Sequence, residues 1–209
     1  MKKLFSIMLA VLMLAAVFTG CASSNPSNGE TPQKVELSRG KIDGAVYTSE
    51  FLGFSFTRPE TWVYSSDEEM AAAMNLGAEL ANMDIEKALE QSGTLYDMMV
   101  VDTVTRSNIN ITIDNLTKTF ASSITGDQYI ASVKQSMSNI SAMKVEFNDE
   151  TSTVKLGKYD YTRVVCNVSA NGVNMTQVYY VRKVDKYMCN VIVTLVSGYS
   201  IADIEAMFK

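Results

Sequence analysis

Apolar and polar residues begin to alternate at Leu52, Phe54 and Phe56, which are interleaved with Gly53, Ser55 and Thr57. A period of two puts one side of a strand in the core and the other in water. A shorter strand around Val46 and Tyr47 is expected to pair with it, and Pro59 to end the pairing by removing a donor. The pattern then changes to helical spacing. Ser66 with Glu69 reads as a capping box ahead of Met70, Met74, Gly77 and Leu80. Asp84 reads as a second cap, with Ile85 and Leu89 one turn apart and Gly93 as the stop, so residues 67 to 92 hold two helices or one kinked helix.

Strands follow near 95 to 106 and 109 to 116, where Ile109, Ile111 and Ile113 alternate with Asn110, Thr112 and Asp114. Asp127 is expected to cap a helix carrying Ile130, Val133, Met137 and Ile140 on one face. The remainder reads as strands at 143 to 148, 152 to 157, 159 to 170, 173 to 184 and 187 to 197. Asn171-Gly172 forms the turn between the third and fourth, since both residues accept the positive φ of a type I′ turn. Ser200 with Asp203 opens a short closing helix. Neighbouring strands with helices inserted between them define an α+β fold, a single domain with a mainly antiparallel sheet flanked by helices.

The first forty residues are of another kind. Lys2 and Lys3 precede an apolar run, LFSIMLAVLMLAAVF, which is too short to cross roughly 30 Å of hydrocarbon and reads as a signal segment. It ends at Phe18-Thr19-Gly20-Cys21, which resembles the lipobox of bacterial lipoproteins. That resemblance implies cleavage before Cys21 and acylation of its thiol, a stable anchor when two chains are attached. Residues 22 to 40, ASSNPSNGETPQKVELSRG, read as a flexible tether. The expected organisation is a signal peptide at 1–20, an acylated cysteine and tether at 21–40, and a folded domain at 41–209. The expected location is the extracytoplasmic face of the cell membrane.

Gly53-Phe54-Ser55-Phe56, with Pro59 and Trp62, is similar to the opening of the PsbP-like fold, which also occurs in bacterial lipoproteins. The resemblance implies an antiparallel sheet sandwiched between helices, an α/β/α arrangement. Trp62 is then expected to cover the sheet edge under the first helix.

Charge and composition exclude more than they assign. Removing Lys2 and Lys3 from the 18 basic residues leaves a net charge of −7 against 23 acidic ones, which speaks against nucleic acid and against electrostatic docking on anionic lipid. The absence of histidine removes Ser-His, Cys-His and His-metal chemistry. Cys166 and Cys189 fall on strands separated by a third, too far apart for a disulfide, and are expected to be free. The thioethers and these thiols would suit Cu(I), yet Met70 and Met74 lie on an apolar helix face and Met98 and Met99 point to opposite sides, so methionine reads as core filler. No cofactor and no metal site is assigned.

The hairpin at Asn171-Gly172 supplies the site candidate. Paired residue numbers there sum to 343, setting Tyr161 opposite Arg182 and Arg163 opposite Tyr180. These four form the expected partner surface, since Tyr and Arg often carry binding energy. The expected function is a lipid-anchored binding or accessory module without catalysis, its partner an envelope protein or a small ligand. The alternatives are an enzyme acting on envelope glycan through carboxylates and a small-molecule carrier.

Overall fold

The computed structural model describes residues 36–74, 83–120, 122–148 and 150–209. Cys21, the signal segment and most of the tether lie outside these residues, as do Gly77 and Leu80. Three short strands, β1 (Lys41–Asp43), β2 (Val46–Ser49) and β3 (Phe54–Thr57), form a small antiparallel sheet in that order. Among the described residues a second sheet has eight strands. Its path runs β4 (Trp62–Tyr64), β5 (Thr94–Asp102), β6 (Asn108–Asn115), β11 (Tyr187–Leu195), β10 (Val173–Val184), β9 (Tyr159–Ala170), β7 (Lys144–Phe147). β8 (Ser152–Leu156) pairs the first half of β9 on the edge whose second half pairs β7, and every pairing is antiparallel.

The helices are α1 (Asp67–Ala73), α2 (Ile85–Ser92), α3 (Leu116–Thr119), α4 (Gly126–Ser138) and α5 (Ile201–Glu205). Ser66 and Ser200 close reciprocal capping boxes with Glu69 and Asp203, and Asp84 accepts from the second and third amides of α2. The cap of α4 is corrected: Thr125 holds it with Gln128, and Asp127 sits in the first turn. The local string Thr-x-x-Gln satisfies one amide at each end of the box, which a lone carboxylate in the first turn does not.

Each face of the large sheet has its own core. On the near face Phe51, Leu52, Phe54 and Phe56 of the small-sheet segment pack with Ile109, Ile111, Ile113, Val191 and Val193, and α2 and α5 add Leu89 and Ile204. On the far face Ile130 and Met137 of α4 and Leu116 of α3 pack on Val164, Cys166, Val168 and Val181. The principal cover of the near face is therefore a sheet, where a helical layer was expected. The alternation of Phe54 and Phe56 with polar neighbours gives β3 an apolar side that can seal only against another apolar sheet or helix.

Two close approaches fix how the small sheet sits. Gly53 has φ of +79°, and a Cβ there would come within 2.3 Å of the Tyr159 ring. The carbonyl of Gly53 accepts from the amide of Lys158 at 2.8 Å, binding this turn to the turn that links β8 and β9. On the free edge of β3, Ser55 exchanges two hydrogen bonds with Lys209 at 2.9 and 3.0 Å, so residues 207–209 widen the small sheet.

Trp62 is fully buried in β4, but its place is corrected. It packs with Phe56 and edge-on against Tyr199, with ring centroids 5.5 Å apart in the second case, and its indole N–H donates to the Tyr199 hydroxyl at 3.0 Å. A residue at that strand position faces the small sheet, whereas α1 packs on the opposite side of β5. Cys166 and Cys189 are free and buried, one in each core.

Candidate functional site

The hairpin register is as the turn requires, with Asn171 at φ +51° and Gly172 at +78°, and with Tyr180 paired to Arg163. The open surface expected there does not form. Tyr161 is 1% exposed and Tyr180 0%, because the face they share is the one onto which the small sheet and α5 pack. Tyr161 donates to the carbonyl of Leu52 at 2.8 Å. Tyr180 and Arg163 both donate to Oε1 of Glu205, each at 2.8 Å, tying α5 to the sheet. Arg182 lies 3.6 Å over the Tyr159 ring and donates to the carbonyl of Phe51. The four residues meet, as expected, but as an internal clamp on the chain segments that cross them.

The chain entering the domain is held in a similar way. Asp97 sits at an irregularity in β5, and its carboxylate accepts the Gly40 amide at 3.0 and 3.2 Å and the hydroxyl of Tyr47. Leu37 packs on the near-face core. The folded unit thus includes residues that the sequence assigned to the tether. Burial raises the pKa of Asp97, and the hydrogen bonds from Tyr47 and Gly40, with the charge of Arg39, oppose that rise.

The most concentrated polar chemistry lies on the far face. Asn110, Thr112 and Asp114 of β6 and Asn190 and Thr194 of β11 are all buried there. The register sets Asn190 beside Thr112 and Tyr96 of β5 on its other side. Asn190 donates to Thr112 Oγ1 at 3.2 Å and to Asp114 Oδ2 at 3.1 Å, while Tyr129 of α4 donates to the same carboxylate oxygen. Asn190 Oδ1 has no hydrogen-bond partner among the described residues. Burial raises the pKa of Asp114 against the hydrogen bonds of Tyr129, Thr94 and Asn190, and burial next to Asp114 raises that of Tyr129. Chemically this is a buried carboxyl with a raised pKa, held by donors of its own fold beside the unmatched Asn190 Oδ1. The sequence reading missed it because alternation shows that Asn110, Thr112 and Asp114 share a face without showing that helices cover that face. The available signal was the second alternating set, Asn190-Ile192-Thr194, in another long strand.

No family model matches the chain, and no curated protein matches it. Among solved structures the chain is similar to a protein of Bacteroides thetaiotaomicron VPI-5482, whose crystal structure was determined at 1.50 Å resolution, with 16% identity and a TM-score of 0.41. The match covers 82% of this chain and 47% of that one, so the chain spans about half the length of that protein.

Proposed function

We propose that this chain is a bacterial envelope lipoprotein, anchored through acylated Cys21 at the extracytoplasmic face, whose domain is a binding or accessory module with a PsbP-like architecture. What supports the anchor is the sequence from Lys2 to Cys21 together with the point at which the chain becomes part of the domain. Leu37 and Gly40 dock 16 and 19 residues after Cys21. A 16-residue linker reaches at most ~55 Å when extended and roughly 22 Å on average as a coil, so the domain stays close to the bilayer. What supports the architecture is that Gly53 to Trp62 forms strand, turn and strand: β3, a turn in which the Trp62 amide bonds the carbonyl of Pro59 at 3.1 Å, and β4.

Binding is favoured over carboxylate catalysis by the state of the buried acids. Asp97, Asp102 and Asp114 are each occupied by donors of their own fold, Asp102 by Val104 and Thr105 of the turn after β5. The test is to express the chain with Cys21→Ser and fractionate the cells. The parent is expected in the membrane fraction with a diacylglyceryl mass on residue 21, and the variant in the aqueous fraction. An unmodified parent that starts at another residue would overturn the reading.

A further inference from the structure

Three methionines meet between α1 and β5. Met70 in α1 and Met74 at its C-cap lie one turn apart, and the irregularity between Tyr96 and Met98 in β5 sets Met99 on the far face with Tyr96, beneath them. These three side chains pack with Ala73 and Tyr96, and Met74 also reaches the near-face core. We propose that Met70, Met74 and Met99 form a thioether site for the soft monovalent ion Cu(I).

The chemistry of the donors selects the ion. A thioether is neutral and polarisable, a weak partner for hard or divalent cations and a good one for Cu(I). Three neutral donors leave a charge of one, which costs far less to keep in a partly buried place than a charge of two. Access is graded in the right sense, since Met70 is buried while Met74 and Met99 are half-buried. Met74 Sδ also accepts the amide of Tyr96 at 3.3 Å, which fixes that sulfur between helix and strand and leaves a lone pair. Asp67, Glu68 and Glu69 in the first turn of α1 add negative charge one turn away. Met98, the neighbour of Met99, points into the opposite core. The two thiols are poor competitors, because both are buried in the main cores and burial pushes Cys166 up to about 12 and raises Cys189 further.

The experiment is an anaerobic competition for Cu(I) between the full chain carrying Cys21→Ser and a chromophoric Cu(I) chelator. Because the anchor residue is replaced, the result is independent of whether the anchoring proposal holds. One Cu(I) per chain is expected, with retention reduced by about tenfold or more in the M70L/M74L/M99L variant. Leucine keeps the apolar volume, and the circular dichroism of both proteins checks the fold. If the triple variant fails to fold, methyl-labelled methionine spectra of the parent with Ag(I) decide: shifts confined to the methyls of residues 70, 74 and 99 support the site. No retained Cu(I), equal retention by a folded variant, or shifts at other methionines would overturn it.

Discussion

The two faces of the large sheet are buried by different means. On the near face a second sheet, built from residues at both ends of the described chain, seals a mainly apolar layer, and polar groups within it act as clamps: Tyr161 on Leu52, Tyr180 and Arg163 on Glu205. On the far face the separate helices α1, α3 and α4 rest on a floor that includes Asn110, Thr112, Asp114 and Asn190. Apolar burial stabilises in proportion to area at roughly 25 cal/mol per Å², whereas a buried hydrogen-bonded network contributes little net energy and constrains geometry. The near face therefore relies mainly on apolar burial, and the far face adds a buried polar network to its own apolar core.

Substitution can break that contrast. Trp62→Ala should cost about 3–5 kcal/mol, read as a fall in the urea midpoint. Ile130→Ala, which loosens α4, should cost about 2–3 kcal/mol; a larger loss than for Trp62 would invert the comparison. Gly40→Ala places a Cβ 2.1 Å from the Tyr47 ring and should cost about 1–3 kcal/mol through the lost Asp97 contact, seen as faster proteolysis near residue 40. Gly172→Ala, at positive φ with open space around it, should cost about 1 kcal/mol, measured by thermal unfolding.

The polar floor has a pH signature. Burial raises Asp114 above its unfolded value, so the folded state holds the proton more tightly. Stability is then highest at the acid end of the window and falls as pH rises from the ordinary carboxylate value through the raised one. Asp97 acts in the same sense. Asp114→Asn should flatten the dependence of the unfolding midpoint on pH above the ordinary carboxylate range, leaving the part due to Asp97. An unchanged slope would mean that Asp114 keeps an ordinary pKa.

What was legible in the sequence is what short-range chemistry decides. The Asn171-Gly172 turn and the caps at Ser66, Asp84 and Ser200 each rest on residues within four positions of one another. The strand limits 159–170 and 173–184 follow from the turn between them. Side chains could be sorted by face, and so Tyr161, Arg163, Tyr180 and Arg182 were grouped correctly. What covers a face depends on pairs far apart in the chain: Glu205 on Arg163, Tyr199 on Trp62, Tyr129 on Asp114. Alternation carries no information on such pairs, so a clamp was read as an open surface and the polar floor went unread.

The bonds between Ser55 and Lys209 join two segments far apart in the chain. A strand near the start of the domain has its outer edge satisfied only when the final residues arrive, and Phe208 packs against Phe54 and Phe56 at the same moment. Closing a loop of that length has an entropic cost before any contact compensates it, and pairings so distant in sequence slow the search for the native state. A chain in which residues 207–209 have not yet docked leaves Phe54, Phe56 and a strand edge uncovered, a state prone to aggregation.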